Sequence, residues 1–372
     1  MLIVAFVAPW IGICALLASL GGCASSKTNQ TIAASRGGSD AAMVVADPRT
    51  YDSPLARSQV RERALKVLLD ATASEVPQMR ANAIEALSLT PARVESVARL
   101  GLLDHNVGVR FTAAMTIGKL QLRSSKDLVK PLLRDEDPVV RAAAIYAIDR
   151  CGEPIDPTPI AQLLHSENPM HRAQGVFILG EMGNSSAIPM LKSVAADRMA
   201  MASIAQVRLL RLQVAEALVK LGDQSGVETL RAALFPARPE DLEFAALAMQ
   251  VIGEIQDFRS LDQLIYIADQ EGEDRLPAEV RLGAAAAAAK LGERGGIHIA
   301  DEYWRDRFPA IRAQAAHVYG LIGGSRALAT LDAMMTGDTN DLVRVAAAAG
   351  ALRITESAEG APGRIAAPVE NR

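Results

Sequence analysis

A motif that recurs about every 31 residues constrains this chain more than any other feature. Its clearest copy, Asp135–Gly152, reads DEDPVVRAAAIYAIDRCG, an acidic turn followed by a helical pattern that closes on glycine. Arg141 in this copy is 31 residues from both Arg110 and Arg172 (141 − 110 and 172 − 141). The anchor positions of the other copies are Arg80, Arg211, Ala245, Arg281, Arg312 and Arg344. A period of this length is typical of stacked supersecondary units, so the sequence predicts an all-α fold, an α-solenoid of about eight to nine helix pairs.

The positions around each anchor specify one helix of the pair. Apolar residues at −1, +3, +4, +7 and +10 form a single stripe, and the residues at +3 and +4 are often small, as at Ala113 and Ala114. Proline stands near the start of several copies, where the first helical turn needs no backbone N–H. Glycine follows at +11 in five copies, a position that suits a left-handed C-cap. These glycines are Gly152, Gly183, Gly222, Gly292 and Gly323.

An aspartate precedes the anchor arginine by six residues in four copies. The four pairs are Asp104 and Arg110, Asp135 and Arg141, Asp306 and Arg312, and Asp338 and Arg344. An aspartate in the turn between helices and an arginine on the next helix can bridge adjacent repeats in a ladder. The alternative is that both groups are solvated, where an ion pair contributes only about 0–1 kcal/mol. The regular spacing favours the ladder.

These features resemble HEAT repeats, and in particular the short HEAT-like repeats named after phycobiliprotein lyases. The resemblance covers residues 56–354 and rests on the Asp–Arg spacing, the proline after the acidic turn, the small pair and the closing glycine. It implies a right-handed stack of antiparallel helix pairs whose second helices line the concave face. The copy around Ala245 departs from the pattern because it lacks the aspartate and the arginine. The 39-residue spacing from Arg172 to Arg211 (211 − 172) departs as well.

The first 22 residues carry no charged side chain and run into the tetrapeptide LGGC, Leu20 to Cys23. An apolar segment before small residues resembles a bacterial lipoprotein signal peptide, in which Cys23 is lipidated and becomes the mature N-terminus. The segment lacks the positively charged start of such signals. The alternative is an uncleaved membrane helix, since about 20 apolar residues can span a bilayer. Pro9, Gly12 and the Gly–Gly–Cys ending favour the lipoprotein. We therefore predict an envelope protein that faces the periplasm, at the outer rather than the inner membrane.

The chain divides into four segments by composition and pattern. Residues 1–22 are the predicted signal peptide, and residues 23–54 are the predicted lipidated cysteine and disordered tether, rich in small and polar residues. The predicted solenoid spans 55–354 and begins with a helix at Ala56–Ala73 that caps its N-terminal end. Residues 355–372 show no apolar stripe and are predicted to be a disordered tail.

Composition and motifs indicate no catalytic residue, no cofactor and no metal site, so we predict that the protein is not an enzyme. A net charge of −4 argues against a broad nucleic-acid surface. Cys14 and Cys23 lie in the N-terminal segments, and we predict that the remaining Cys151 is a small buried residue. The five histidines form no metal-ligand motif, although His165 and His171 could approach each other across a turn.

The inner face of the second helices is the remaining candidate for function. Positions +5 and +9 from the anchor should flank the core stripe and face the concavity. Large apolar groups edged by charge are typical of a protein-binding strip. The alternative is that Tyr146 and Phe177 pack between helices. The candidate residues in three successive copies are Met115, Lys119, Tyr146, Arg150, Phe177 and Glu181.

These observations predict a monomeric, lipid-anchored scaffold that binds a protein or peptide partner through its concave face and contacts the membrane through its N-terminal lipid. Two alternatives stay open. The resemblance implies a bilin-handling enzyme of the lyase type, but such lyases act in the cytoplasm and we predict that this chain is exported. The second alternative is a purely structural assembly factor of the envelope.

Overall fold

The computed structural model describes residues 43–197, 202–236, 241–272 and 275–359. Within these ranges the chain forms 18 α-helices and no β-strand. In chain order the helices are α1 (Pro54–Ala71), α2 (Pro77–Leu87), α3 (Pro91–Gly101), α4 (Val107–Lys119), α5 (Lys126–Val129), α6 (Pro138–Arg150), α7 (Thr158–Leu163), α8 (Pro169–Met182), α9 (Ile188–Ala196), α10 (Ile204–Lys220), α11 (Ser225–Ala232), α12 (Leu242–Glu254), α13 (Leu261–Asp269), α14 (Ala278–Lys290), α15 (Ile297–Tyr303), α16 (Pro309–Ile322), α17 (Gly324–Gly337) and α18 (Asp341–Glu359).

The helices form two layers. Each even-numbered helix packs against the next even-numbered helix along the chain, and the odd-numbered helices cover them from outside. The nine anchor positions of the sequence motif all lie on the nine even-numbered helices of the described ranges. Each repeat is therefore one outer and one inner helix, and the predicted α-solenoid is confirmed.

The motif also determines where the inner helices begin and end. Asp137 and Asn106 each accept hydrogen bonds from two backbone N–H groups and cap the N-termini of α6 and α4. The five glycines at +11 all have positive φ, from 74° to 94°. In two further repeats Gln121 (φ 50°) and Gln256 (φ 57°) occupy the same position. The left-handed turn therefore belongs to the repeat and not to glycine alone.

The core lies between the two layers and is continuous around the molecule. One cluster of buried apolar side chains extends from Tyr51 to Ile354. Alanine is frequent in it, which lets neighbouring inner helices approach closely. Cys151 belongs to this cluster as a free, buried thiol, as expected from the sequence.

The last repeat packs against the first, so the solenoid closes into a ring. Helix α18 contacts α1 and α2, and the Arg61 guanidinium forms a salt bridge of 2.5 Å with Glu356. On the outer layer Asp332 of α17 accepts a hydrogen bond of 2.9 Å from the Tyr51 hydroxyl and pairs with Arg63 at 2.8 Å. These contacts join residues separated by about 270–300 positions in the chain.

Ring closure corrects three expectations from the sequence. The first helix does not cap a free end, because α18 covers it. The end of the predicted tether is folded, since Pro48–Asp52 forms a short 3₁₀ helix whose Tyr51 is buried against α17. The start of the predicted tail is helical to Glu359, because Thr355 is buried and Glu356 pairs with Arg61.

The predicted signal peptide and Cys23 lie outside the described residues. Among the helices that are described, none combines the length and the apolar character needed to cross a bilayer.

Candidate binding surface on the inner face

One position per repeat places a charged side chain on the inner face of the ring. This position is nine residues after the anchor, and the set that occupies it is named the inner row. Lys220 bonds through Nζ to Glu181 at 2.5 Å and to Glu216 at 2.6 Å, and Lys290 pairs with Glu254. The first and eighth repeats break the row with leucines, Leu89 and Leu321. The members of the inner row are Lys119, Arg150, Glu181, Lys220, Glu254, Lys290 and Arg353.

A cavity of about 660 Å³ lies at the centre of this face. Its walls come from α2 and α4 on one side and from α12, α14, α16 and α18 on the other. Five cationic and two carboxylate side chains line it, a local balance of +3 (5 − 2), whereas the whole chain carries −4. The cations are Arg57, Lys119, Lys290, Arg294 and Arg353, and the carboxylates are Glu85 and Glu254.

The charges around the cavity influence one another strongly. Burial raises the pKa of Glu254, but Lys290, Lys220 and Lys119 outweigh that effect and the pKa is lowered overall. Burial lowers the pKa of Arg353, and the carboxylates of Glu254 and Glu85 oppose this only in part. Glu254 therefore stays ionised at neutral pH, and Arg353 is a cation held in an unfavourable environment.

His317 lies in the same cavity and is neutral at physiological pH. Burial, together with the charges of Arg353 and Lys290, lowers its pKa to about 3. Neither its ring nor the Arg353 guanidinium donates a hydrogen bond to any residue that the structure describes. The cavity wall thus presents a neutral imidazole and a cation whose hydrogen-bonding capacity the fold leaves unused.

The apolar half of the predicted binding strip is not available to a partner. Met115, Tyr146 and Phe177 are buried, at 1%, 2% and 8% exposure. The ring of Tyr146 lies against Gly118 of the preceding inner helix, where even a methyl group would clash. The prediction of an exposed apolar strip is wrong because neighbouring inner helices pack tightly and enclose position +5. These side chains form the floor beneath the charges, with the Lys220 ammonium 5.6 Å from the centre of the Phe177 ring.

The aspartates of the turns form a second charged system, named the edge ladder. In three of the four named turns, those of Asp104, Asp135 and Asp338, the side chain reaches back to the arginine of the preceding repeat and accepts two hydrogen bonds from it. Arg110 holds Asp135 at 2.7 and 2.9 Å, and Arg312 holds Asp338 at 2.7 and 2.8 Å. Asp104 is held by Arg80 in the same way, at 2.7 Å twice. The arginine in the same repeat as the aspartate binds only its backbone carbonyl, as Arg110 does at Asp104 (2.9 Å).

Three residues named for the ladder stand outside these pairs. Asp306 keeps the turn contact, accepting a hydrogen bond from the backbone N–H of Phe308. It lacks the arginine contact because Arg281 of the preceding repeat binds Glu302 instead. Arg344 belongs to the last repeat and makes only a local contact with Asp341 at 3.2 Å. Arg141 has no carboxylate partner among the described residues.

No group of three His, Cys, Asp or Glu side chains in the described ranges is placed to hold a metal ion. His165 and His171 do not form a joint site, since the contact described for the His171 ring is a 3.4 Å approach to the Ser166 hydroxyl. Burial raises the pKa of the Cys151 thiol, which makes it a poor nucleophile at neutral pH.

Comparison with known proteins bears on the repeats. The family model described as HEAT repeats matches residues 65–149, 96–166 and 273–353. The chain contains HEAT repeats. The matches span α2 to α7 and α14 to α17 in full. Both of these matched stretches contribute side chains to the central cavity. A comparison with curated protein sequences gave no significant match.

Several solved structures are similar over large parts of the chain. A designed armadillo repeat protein is 18% identical over 52% of this chain and 98% of its own, with a TM-score of 0.32. Human deoxyhypusine hydroxylase in complex with glycerol is 16% identical over 81% of this chain and 99% of its own, with a TM-score of 0.35. An archaeal HEAT-like repeats protein from Thermococcus onnurineus NA1 is 16% identical over 73% and 98%, with a TM-score of 0.26.

The HEAT motif predicts the inner row but does not identify every charged residue that lines the cavity. Arg353 occupies the same register as Lys119 and could have been found by extending the +9 count to the last repeat. Arg57 lies in the first turn of α1 and Arg294 in the turn between α14 and α15, and no spacing signal marks them. Arg57 reaches the cavity because ring closure packs α1 against α18.

Proposed function

We propose that this protein is a lipid-anchored, non-enzymatic HEAT-repeat scaffold of the cell envelope that binds a protein or peptide partner at its inner face. The observation that carries the proposal is the central cavity of about 660 Å³, lined by charged side chains from the first two and the last four repeats. Bringing ionised groups from repeats far apart in sequence into one partly buried surface costs folding free energy. Such an arrangement is typical of a recognition site.

The size of the cavity restricts the part of the partner that enters. Its volume lies within the range of about 300–1,000 Å³ usual for small-ligand pockets, which is too small for a folded domain. A short extended segment of the partner fits this space. Because the ring is closed and its core continuous, the site is held in shape before binding, which reduces the entropy lost on association.

The charge of the cavity indicates the chemistry of that segment. Five cations face two carboxylates, so an acidic segment is favoured over a basic one. Arg353 and His317 offer hydrogen-bond donors that no described residue uses. A carboxylate placed between Arg353 and Arg294 would gain charge-assisted hydrogen bonds in a partly dehydrated site.

Co-purification with inverted cavity charges tests the binding proposal. The double variant Lys119→Glu and Arg294→Glu reverses two cavity cations, and Arg259→Glu makes the same change at an exposed site beside the outer helix α13. We expect gentle detergent extracts to yield a partner with the wild type and with Arg259→Glu, and at least about tenfold less of it with the double variant. Equal recovery with all three proteins would contradict the inner face as the binding site.

The anchor is tested separately by intact mass and fractionation. In this proposal Cys23 carries the lipid, so the mature chain should begin at Cys23, carry acyl mass and sediment with membranes. Cys23→Ser should lose the acyl mass and leave the membrane fraction. A full-length, unmodified wild-type chain in the cytosol would contradict the envelope location without bearing on the inner-face site.

A further inference from the structure

Each arginine of the edge ladder and the carboxylate that it holds form one rung. The rung of Arg141 is open, because no carboxylate among the described residues pairs with it. In the complete rungs the anchor arginine uses Nε and Nη2 to hold both carboxylate oxygens of the next turn, and Nη1 to bind the carbonyl six residues before it. Arg110 does this with Asp135 and the Asp104 carbonyl. Arg141 keeps the second half of this arrangement, since Nη1 donates to the carbonyls of Asp135 (2.6 Å) and Glu136 (3.0 Å). Its Nε and Nη2 groups donate to no described residue.

A single sequence difference explains the open rung. Counting 31 residues on from Asp135 gives Ser166, where the ladder pattern places an aspartate. In the complete rungs one aspartate does two things, because it also accepts a hydrogen bond from the backbone N–H two residues later, as Asp135 does at 3.0 Å. Ser166 keeps that turn contact, with Oγ accepting from the Asn168 N–H at 3.2 Å. It has no second oxygen with which to reach Arg141.

The open rung faces a groove of about 650 Å³ between the third and fourth repeats. Arg141, Gln162, Ser166 and His171 supply polar lining, and the half-buried Leu133 and Ile155 are among its apolar walls. The groove exists because the outer helix α7 has only six residues and follows an extended stretch with two prolines, so the outer layer is thin here. The one carboxylate at the rim, Asp156, is bound to Thr158 through two hydrogen bonds of 2.6 and 2.9 Å.

We propose that Arg141 and this groove form a binding site for a carboxylate that comes from outside the chain, next to an apolar group that lies against Leu133 and Ile155. The neighbouring rungs give the geometry, a planar carboxylate held by two parallel N–H···O bonds. A C-terminal leucine of a peptide and a small branched carboxylic acid share this chemistry. The site lies at the edge of the ring and is independent of the proposed function of the inner face.

Titration with N-acetyl-leucine, with its amide and with a hexapeptide ending in free leucine tests the proposal. The wild type should bind both carboxylates, and the amide should bind at least about tenfold more weakly because it cannot form the charge-assisted pair. Tighter binding of the hexapeptide would identify a peptide C-terminus as the source, and equal binding would identify a small carboxylate. Failure of both carboxylates to bind at millimolar concentration would overturn the proposal.

Two variants and a control make the test specific to Arg141. Arg141→Gln removes the donor, whereas Ser166→Asp supplies the missing carboxylate from within the chain and should occupy the site itself. Both variants should bind N-acetyl-leucine at least about tenfold more weakly than the wild type. Ser166→Asp should also have a higher melting temperature, which would show that it is folded. Ser96→Asp, on the exposed face of α3, adds the same charge elsewhere and should bind as the wild type does. Wild-type affinity in Ser166→Asp would place the binding site elsewhere and contradict the proposal.

Discussion

The edge ladder and the inner row use the same kinds of residue at one position per repeat, yet the fold employs them differently. In the ladder, Asp338 is 1% exposed in its side chain and both its oxygens are taken by Arg312. In the inner row, cations outnumber carboxylates around a cavity, and Arg353 has no hydrogen-bonding partner among the described residues. The comparison teaches that charge regularity alone does not indicate function. What matters is whether the neighbouring repeat neutralises the charge.

The largest expected effect comes from breaking a ladder pair. Asp338→Asn leaves Arg312, whose side chain is 12% exposed, without its carboxylate. We expect the free energy of unfolding to fall by about 3 kcal/mol, because a partly buried cation then lacks compensation. Urea unfolding followed by circular dichroism measures this change.

A matched aspartate shows whether the loss depends on the ladder. Asp341 is 80% exposed and makes one local contact with Arg344 at 3.2 Å. Asp341→Asn should change the free energy of unfolding by less than about 1 kcal/mol. Equal losses in the two variants would mean that the ladder contributes no more than an exposed ion pair.

An intermediate effect is expected from pH at the inner face. The folded-state pKa of His317, about 3, lies below the ordinary histidine value, so the unfolded chain binds this proton first as the pH falls. The wild type should therefore lose stability between about pH 6.5 and pH 3, by up to about 1.4 kcal/mol per pH unit. His317→Gln removes this contribution. Between pH 7 and pH 5, its free energy of unfolding should therefore fall by up to about 2 kcal/mol less than that of the wild type.

The charged groups that act on His317 are the cations Lys290 and Arg353. His165→Gln, at an exposed position after α7, is the control and should follow the wild-type pH profile. Parallel pH profiles for the wild type and His317→Gln would show that His317 is hydrated and protonates freely.

The smallest effect is expected from neutralising a member of the inner row. The lowered pKa of Arg353 means that the fold disfavours its charge. Arg353→Gln should therefore raise the free energy of unfolding slightly, by less than about 1 kcal/mol, in contrast to the ladder variant. A loss greater than about 2 kcal/mol in urea unfolding would show that Arg353 serves the fold as Asp338 does, and the contrast between the two charged systems would fail.

The sequence allows the helix register to be predicted but not the ring. Register is local, because Asp137, the small pair and Gly152 each act within one repeat. Closure depends on the rotation summed over nine repeats, and no single motif encodes that sum. The contact between Arg61 and Glu356 is consequently invisible in the pattern.

The candidate site could be predicted only in part, for a similar reason. The +9 count correctly selects side chains such as Lys119 and Lys290 that line the cavity. The +5 count fails at Tyr146, because the distance to the next inner helix is set by packing at Gly118 and not by helical periodicity.

The spacing predicts the ladder but matches each aspartate with the arginine six residues later, whereas in the structure Asp135 is held by Arg110 of the preceding repeat. Ser166 can be read from the sequence, but that it leaves Arg141 without a carboxylate follows only from the pairing in the structure.

Site-specific photo-crosslinking in cells tests the central claim, that a partner segment occupies the inner face, most directly. A photoreactive amino acid at position 321, where Leu321 lines the cavity in the +9 register, is compared with one at position 266, where Tyr266 of α13 is 62% exposed on the outer layer. The account predicts a protein adduct from position 321 and none from position 266. An adduct from position 266 alone would place the partner on the outside of the ring and contradict the account, as would the absence of any adduct from position 321.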